Sequence, residues 1–310
     1  MTQPSGRALT GAQHDITAGD YHATITELGA GLRRLNYRGR PVIAEYLADE
    51  MPPAGAGQLL APWPNRVDGG RYAFAGAAHQ LDLSEPSAGN AIHGLTRWHS
   101  WRVAAQEASL VELHHVLYGQ PGYPFCLELS ARYQLSADDG LEVSVSAANA
   151  GSAAAPYGTG NHPYLTAGTP LVDECELELP AARWLPADER GIPDGEPRDV
   201  AGTEFDFRDR RAIGGTRLDH AFTGLAADTD GRAWARLAGP QAELEFWAGP
   251  GYSWLQVFTG DALGPERRRR ALAIEPMTCP PNAFVSGTDL LRLEPGERVT
   301  HRWGIRLRHS

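Results

Sequence analysis

A strict alternation of apolar and polar side chains over residues 127–147 is the feature that most constrains the fold of this chain. Apolar side chains occupy every second position of two runs, namely Leu127, Leu129, Ala131, Tyr133 and Leu135, then Leu141, Val143, Val145 and Ala147. Such a period places them on one face of an extended strand. Asp138, Asp139 and Gly140 separate the runs and are typical turn residues. The pattern predicts an antiparallel hairpin with one buried face.

Shorter alternating runs recur along the chain and are separated by turns rich in Gly and Pro. They predict strands over residues 24–28, 175–179, 253–260, 271–275 and 299–307, and hairpins that pair 32–37 with 41–43, 71–74 with 79–83, and 233–237 with 242–247. Residues 44–50 predict one helical turn, and residues 186–215, rich in Asp, Arg, Gly and Pro, predict a surface loop.

Many short strands with almost no helix are typical of all-β sandwiches and barrels. We therefore predict an all-β fold with little helix, a large antiparallel β-sandwich. We expect residues 14–310 to form a single domain that follows a flexible segment over residues 1–13. A ligand is expected to lie in a shallow groove on the open face of one sheet.

The charge and the cysteine content argue against several classes of partner. The chain has 28 basic and 38 acidic residues, a net charge of −10, which disfavours nucleic acid and anionic membranes. The three cysteines are far apart and form no CxxC pair, which fits a reducing cytoplasm. No stretch approaches ~18 consecutive apolar residues, and residues 1–13 lack the apolar centre of a signal peptide. We expect a cytoplasmic monomer or homodimer that binds a small molecule.

Polar side chains in irregular, Gly- or Pro-framed contexts are the candidates for chemistry. His162 lies between Asn161 and Pro163 on a glycine-rich approach, which favours an extended, fixed histidine that can donate or accept a proton. Glu275 ends the apolar run 271–274, and burial would raise the pKa of its carboxyl. With a histidine pKa near ~6.5, the two would form a workable acid/base pair. The other candidates are Asn65, Arg66, His93, Asp219 and Gln256.

Structural interpretations of the same residues remain open. In these interpretations Arg66 does no more than pair with a carboxylate, Asp219 does no more than cap a turn, and Glu275 simply lies at a strand end. The arginine run 267–270 is more typical of a solvated loop than of a phosphate site. The sequence contains no HExxH, CxxC, phosphate-loop, dinucleotide or Gly-x-Ser-x-Gly motif, so we expect neither a metal nor an organic cofactor.

Together these segments resemble the aldose 1-epimerase (galactose mutarotase) family. The motifs that carry the resemblance follow one another from about residue 20 to the C-terminus: Asn65-Arg66, Ile92-His93-Gly94, and residues 160–164, 218–222, 255–260, 275–278 and 281–284. The resemblance implies a large antiparallel β-sandwich and no cofactor. It implies that His162 is the general acid for the sugar ring oxygen and Glu275 the base for the anomeric hydroxyl. Asn65, Arg66, His93, Asp219 and Gln256 would hold the other hydroxyls.

The resemblance leaves the preferred sugar open. Pro-Tyr-Leu-Thr follows His162, Pro276 directly follows Glu275, and a Pro-Asn-Ala-Phe sequence comes downstream, all departures from the best-known galactose mutarotases. We predict interconversion of the α and β anomers of a free aldohexose. A Glu275-controlled acidic limb and a His162-controlled basic limb would shape its pH profile. The alternatives are a sugar-binding protein without catalysis, an epimerase for a phosphorylated or modified hexose, and a glycoside hydrolase that uses Glu275 and Asp219.

Overall fold

A computed structural model describes residues 6–240 and 242–308 of the chain. The described residues are nearly all in antiparallel strands and their connections. The strands of the first half are β1 (Gln13–Ala18), β2 (Tyr21–Thr26), β3 (Leu32–Tyr37), β4 (Arg40–Pro41), β5 (Leu59–Leu60), β6 (Arg66–Asp68), β7 (Arg71–Phe74), β8 (Ala77–Gln80), β9 (Asn90–Ile92), β10 (Arg102–Glu107), β11 (Leu110–Leu117), β12 (Leu127–Ser136), β13 (Gly140–Asn149) and β14 (Ala155–Tyr157).

The second half continues in the same way. Its strands are β15 (Gly160–Asn161), β16 (Tyr164–Leu165), β17 (Glu176–Glu178), β18 (Ala181–Leu185), β19 (Arg198–Asp199), β20 (Arg211–Ala212), β21 (Asp219–Leu225), β22 (Ala233–Ala238), β23 (Glu243–Ala248), β24 (Trp254–Phe258), β25 (Leu272–Met277), β26 (Leu291–Leu293) and β27 (Arg298–Arg308). Within the described residues, helix is limited to α1 (Ala283–Ser286) and two 3-10 turns, Pro53–Gly55 and Val172–Glu174. The predicted all-β fold with little helix is confirmed.

Two large sheets dominate the architecture. One has nine strands in the order β10-β11-β12-β13-β27-β23-β22-β17-β20. The other has the order β19-β18-β21-β24-β25-β15-β5, with β16 also paired to β25. The predicted central hairpin is β12 with β13, in register from Leu127 opposite Asn149 to Ser136 opposite Gly140. The three other predicted hairpins are also formed, as β3–β4, β7–β8 and β22–β23.

The main core lies between the two large sheets. The alternating apolar residues of β12 and β13 are buried in it, as the sequence predicts. Trp303 of β27, in the nine-stranded sheet, donates an indole N–H bond of 2.9 Å to Asn161 Oδ1 of β15, in the eight-stranded sheet. This buried contact joins the two layers directly beside His162.

The second face of the eight-stranded sheet carries different side chains. In β25, Leu272 and Ile274 belong to the main core, so the alternating residues Ala273, Glu275 and Met277 point to the opposite face. Small apolar clusters lie there instead of a second large core. This face is where the sequence placed a ligand groove, but connecting segments cover it, and Glu275 itself is only 2% exposed.

Two local expectations differ from the structure. Residues 44–50 form no helical turn, because Val42, Ile43 and Ala44 extend alongside residues 164–166 and Ala44 N donates to Tyr164 O at 2.8 Å. The stretch 186–215 is not only a solvated loop, since it contributes β19 and β20 and buries Val200, Phe207 and Ile213.

The predicted flexible segment 1–13 falls partly outside the described residues, which begin at Gly6. Within the described part, Thr10 is buried, and its N and Oγ1 both donate to Ala48 O, at 3.2 and 2.9 Å. The packed chain therefore begins before residue 14. In the described residues, no helix has the length and apolar character needed to cross a membrane.

Replacing Trp303 with Phe tests the contact between the layers. The change leaves the buried Asn161 Oδ1 without its donor and opens a small cavity, so the free energy of unfolding should fall by about 2–4 kcal/mol in chemical denaturation. Trp234→Phe is the control, because that indole donates to Asp228 at an exposed position. It should cost about 1 kcal/mol or less. Equal losses in the two variants would contradict a structural role for the Trp303–Asn161 bond.

Candidate active site

Strand pairing and local packing fix the His162 ring. His162 directly follows β15; its N–H donates to Gln58 O at 3.1 Å, and its C=O accepts from Gly57 N at 2.8 Å. The Tyr164 ring stacks on the imidazole with centroids 4.8 Å apart. On the other side, a Cβ added to Gly55 would come within 3.0 Å of His162 Cδ2, so glycine allows this close approach. The imidazole therefore has little freedom to turn.

Glu275 meets this histidine from the neighbouring strand. It lies within β25 opposite Gln256 of β24, so it does not simply end a strand. His162 Nε2 and Glu275 Oε1 are 3.3 Å apart, and the two residues are 5% and 2% exposed. The sequence predicted these two residues as an acid/base pair, and the fold brings them into direct contact.

Asn65 and His93 lock each other beside the pair. His93 N donates to Asn65 O at 2.8 Å, and Asn65 N donates to His93 Nδ1 at 3.2 Å. Both residues have positive φ, 54° and 62°, which is uncommon for non-glycine residues and is typical of functional sites. The His93 ring meets the His162 ring edge-on, with centroids 5.4 Å apart. Because His93 Nδ1 accepts a hydrogen bond, neutral His93 carries its proton on Nε2.

Arg66 is held by a carboxylate, as one of the open interpretations allowed. Its Nε and Nη2 donate to the two oxygens of Glu85 at 2.8 and 2.9 Å, and no bond to a described residue uses Nη1. The segment around Gly191 presses on the guanidinium so closely that a Cβ there would collide with it. Arg190 anchors this segment through a 2.7 Å bond to Asp68. The pair with Glu85 therefore orients Arg66 and leaves its Nη1 without a bond to a described residue.

Asp219 and Gln256 form the outer edge of the site. Gln256 Nε2 donates to Asp219 Oδ1 at 2.8 Å, which fixes the orientation of both side chains. Gln256 is buried, whereas Asp219, the first residue of β21, is exposed. The Gln256–Asp219 bond places a buried carboxamide and an exposed carboxylate at the entrance.

Several buried polar atoms here lack partners among the described residues. They are His162 Nδ1, Gln256 Oε1 and Glu275 Oε2. Buried polar atoms normally form hydrogen bonds, and an unpaired one costs about 1–3 kcal/mol. A polar ligand with several hydroxyl groups would supply the missing partners of Gln256 and Glu275.

Burial opposes charge on both members of the pair. It raises the pKa of Glu275 well above its ordinary value, as the sequence predicted; the negative charge of Asp219 adds to this and Arg66 opposes it. The pKa of His162 is lowered to about 3: burial is the largest cause, a hydrogen bond with its own backbone opposes the shift, and the positive charge of Arg97 adds to it. The expectation of a histidine pKa near 6.5 is therefore wrong. With these shifts the carboxyl is the later group to lose its proton, the opposite of the order that the sequence predicts.

His93, His162 and Glu275 are also the described residues whose ligand atoms lie close enough to hold a metal ion, within 4.8 Å of one another. The tautomer of His93 argues against such a use. A metal on Nε2 would require that nitrogen to be unprotonated while Nδ1 still accepts from Asn65 N. A neutral imidazole must carry a proton on one of the two. The set fits hydrogen bonding to a ligand better than metal coordination.

The sequence prediction selected the residues that meet here but missed those that orient them. His162, Glu275, His93 and Asn65 lie in one cluster, and Gln256 connects it to Asp219. Glu85, Arg97, Gln58 and Gly191 were missed. No motif surrounds Glu85, which lies 19 positions from Arg66. The roles of acid, base and hydroxyl clamp stay predictions.

The fold and the site define an all-β protein with a buried histidine–glutamate pair on one face of a large antiparallel sheet. The family model described as "Aldose 1-epimerase" matches residues 13–306. The chain therefore belongs to the aldose 1-epimerase family, an isomerase-type class of enzymes.

Individual relatives agree with this assignment. The chain is 39% identical to the Escherichia coli K12 protein YihR, which is uncharacterized, over 93% of this chain and 91% of that protein. It is 28% identical to the aldose 1-epimerase of Escherichia coli K12 over 67% and 64% of the two chains.

Solved structures show the same fold at lower identity. A GalM/aldose epimerase homologue from Caenorhabditis elegans has a TM-score of 0.86 at 19% identity and covers 96% of this chain and 99% of its own. The galactose 1-epimerase of Lactobacillus acidophilus NCFM has a TM-score of 0.78 at 23% identity, with 94% and 93% covered.

Replacing Glu275 with Gln should stabilise the protein. The raised pKa means that the folded state prefers the protonated carboxyl, whereas the unfolded chain ionises near the ordinary value of 4.5. Stability of the natural chain is therefore lost as pH rises from about 4.5 toward the folded pKa. We expect the Tm advantage of Glu275→Gln to grow over this range in thermal denaturation.

Glu85→Gln provides the matched control with the opposite sign. Burial alone would raise the pKa of Glu85, but the Arg66 guanidinium lowers it below its ordinary value. Ionised Glu85 therefore stabilises the fold above its ordinary pKa. This variant should lose Tm at neutral pH, and the loss should shrink as pH falls. A Glu275→Gln variant that is less stable than the natural chain at neutral pH would contradict the proposed burial penalty.

Proposed function

We propose that this protein is an aldose 1-epimerase that interconverts the α and β anomers of a free aldohexose such as glucose or galactose. The observation that carries the proposal is the 3.3 Å contact between His162 Nε2 and Glu275 Oε1. Ring opening requires one proton to leave the O1 hydroxyl while another reaches O5. Both oxygens are bonded to C1, so the acid and the base must lie close together.

The proton transfers balance with these two groups alone. Glu275 takes the O1 proton, the C1–O5 bond breaks as the aldehyde forms, and His162 gives its proton to O5. After rotation about C1–C2, O5 adds to the other face of the aldehyde carbon. His162 then recovers the proton from O5, and Glu275 returns its own to O1. Each well-positioned transfer contributes roughly 10²–10⁴-fold to the rate.

The dyad must hold one mobile proton to start this cycle. The pair of carboxylate and imidazolium carries the same number of protons as the pair of carboxylic acid and neutral imidazole. Burial favours the neutral pair of carboxylic acid and imidazole. One proton transfer from Glu275 to His162 converts the neutral pair into a carboxylate and an imidazolium. The sugar hydroxyls can solvate these two charges. The competent state therefore depends on the proton count of the pair, as in other coupled titrations.

The surrounding groups suit a bound sugar. Arg66 Nη1 and neutral His93 Nε2 offer hydrogen-bond donors, and Gln256 Oε1 and Asp219 offer acceptors. Asn65 supports this set by fixing His93. Sugar hydroxyls both donate and accept, so they can pair with this mixed set.

The alternatives fit the geometry less well. A glycoside hydrolase uses two carboxyl groups about 5–9.5 Å apart, and His162 in contact with Glu275 would have no task in it. A phosphorylated sugar was considered because of residues 267–270. Arg269 is already paired with Asp173 and Asp261, and Arg267 with Glu50. Arg268 and Arg270 form no ion pair with a described residue, and both are exposed. The cytoplasmic location and the monomeric or homodimeric state remain predictions.

Polarimetry on freshly dissolved α-glucose and α-galactose tests the proposal. A panel of free and 6-phosphorylated aldoses, followed by anomer-exchange NMR, identifies the preferred sugar. We expect acceleration over buffer for at least one free aldohexose. Tight calorimetric binding without any exchange would favour a sugar-binding protein instead, and release of reducing sugar from an aryl glycoside would favour a hydrolase.

Substitutions should separate the acid/base pair from the groups that hold hydroxyls. Glu275→Gln and His162→Asn remove one proton carrier each, so kcat should fall by roughly 10²-fold or more while sugar binding survives. Arg66→Ala and Asp219→Ala remove contacts made in both ground and transition states and should chiefly raise KM. Steady-state kinetics of folded variants distinguish the two classes. Near-full activity of Glu275→Gln would remove Glu275 as the base.

The pH profile of kcat/KM should be bell-shaped, with its limbs in reversed order. Below the lowered pKa of His162 the pair holds two protons and has no base, so the acidic limb belongs to His162. Above the raised pKa of Glu275 the pair has no proton to give, so the basic limb belongs to Glu275. Carboxyl and imidazole titrations by NMR assign the limbs. A basic limb that follows the imidazole would contradict this order.

A further inference from the structure

Arg97 is a buried arginine without a carboxylate partner among the described residues. It is 8% exposed, its guanidinium lies 5.4 Å from the Trp98 ring centroid, and its Nε has no hydrogen-bond partner. Burial lowers the pKa of Arg97 to about 10, so it is still charged at neutral pH. An unpaired buried charge is costly, and its retention needs a physical reason.

The hydrogen bonds of Arg97 join the two segments that carry the histidines of the site. Its Nη2 donates to Ile92 O at 3.0 Å, immediately before His93, and its Nη1 donates to Gln58 Oε1 at 3.4 Å. Gln58 returns a bond from Nε2 to Arg97 O at 3.3 Å, and its backbone oxygen accepts from His162 N at 3.1 Å. One side chain therefore links the backbone positions of both rings.

The charge of Arg97 also reaches both rings. Burial is the first cause of the lowered pKa of His93 and of His162, and the positive charge of Arg97 adds to it in each case. His162 is faced by Glu275 from β25, by Tyr164 from β16 and by His93. Arg66 and His162 also act on His93. Among these neighbours, Arg97 is the cation that acts on both imidazoles. It forms no ion pair with a described residue, and the Glu85 carboxylate, which is bound to Arg66, offsets its charge only from a distance.

We propose that Arg97 is a positioning residue of the active site, which holds the segments of His93 and His162 together and places a positive charge beside both imidazoles. A proton on His162 is then held weakly and passes more readily to the ring oxygen of the sugar. The catalytic consequence rests on the proposed epimerase function. The effect on the histidines exists without any sugar and can be measured separately.

Two variants remove the charge and differ in the polar group that they leave. Arg97→Met leaves none, whereas Arg97→Gln leaves an amide at about the position of Nε, short of the Nη1 and Nη2 atoms that donate to Gln58 Oε1 and Ile92 O. Arg33→Met is the matched control. Arg33 is also 8% exposed and bonds to neutral acceptors, Gln13 Oε1 at 2.6 Å and Tyr46 O at 2.9 Å. The Arg33→Met variant therefore loses a buried arginine charge that contributes to the lowered pKa of neither His93 nor His162.

Imidazole titration by NMR in the absence of sugar is the first readout. The pKa of His162 should rise toward the ordinary 6.5 in both Arg97 variants and stay unchanged in Arg33→Met. Should Arg97→Met fail to fold, Arg97→Gln alone carries this comparison. Unchanged titration of both histidines in a folded Arg97 variant would overturn the proposal.

Kinetics provide the second readout. In the Arg97 variants the acidic limb of kcat/KM should move to higher pH, and kcat should fall by roughly 10–10²-fold with KM little changed, more in Met than in Gln. A rise in KM with both limbs unmoved would make Arg97 a ligand contact and overturn the positioning role. If the natural chain exchanges no anomers while the histidine titrations shift as expected, the proposed function fails and the charge effect stands.

Discussion

The contact between His162 and Glu275 is the interaction on which the site depends. Two ionisable groups lie 3.3 Å apart where burial opposes a charge on either. In water each would hold its ordinary protonation state, and the carboxyl would be the stronger acid. Inside the protein, desolvation raises the pKa of the carboxyl and lowers the pKa of the imidazole, so the imidazolium becomes the stronger acid. We therefore expect the pair to titrate as one unit. Burial is the largest cause of both pKa shifts, and the charges of Arg66, Arg97 and Asp219 modify them.

The fold supplies this environment by an unequal use of the two faces of one sheet. The eight-stranded sheet packs its inner face against the nine-stranded sheet and carries the His162–Glu275 pair at its outer face. Irregular segments then close over the outer face: residues 53–66 bring Gln58 and Asn65, residues 85–97 bring Glu85, His93 and Arg97, and residues 188–192 cover Arg66. Without these covers the dyad would be solvated, and its pKa values would return toward ordinary ones. The reversed order of titration is thus a product of the loops as much as of the strands.

Orientation within the site comes from hydrogen bonds that run in pairs between neighbouring segments. Asn65 and His93 bind each other, as do Gln58 and Arg97, and Glu85 holds Arg66 through both oxygens. Positive φ at Asn65 and His93 indicates that the surrounding contacts hold conformations a free chain would seldom adopt. The Trp303–Asn161 bond links this arrangement to the main core. Packing energy from the sandwich is thereby used to keep a polar, partly unsatisfied site in one geometry.

The sequence by itself determined the fold class and selected His162 and Glu275, which the fold brings into contact. Alternation is a local signal, because each side chain of a strand points to the face its parity dictates, so β12, β13 and β27 could be predicted without knowing their partners. His162 and Glu275 were visible because a polar residue in an apolar or glycine-rich context stands out in one dimension. Only the tertiary structure decided the depth of the site, the proton order of the dyad and the roles of Glu85, Gln58 and Arg97. Those properties arise from contacts between residues that are distant in the sequence, such as 58 and 97. Desolvation and charge act through space, so the spacing of residues along the chain does not predict them.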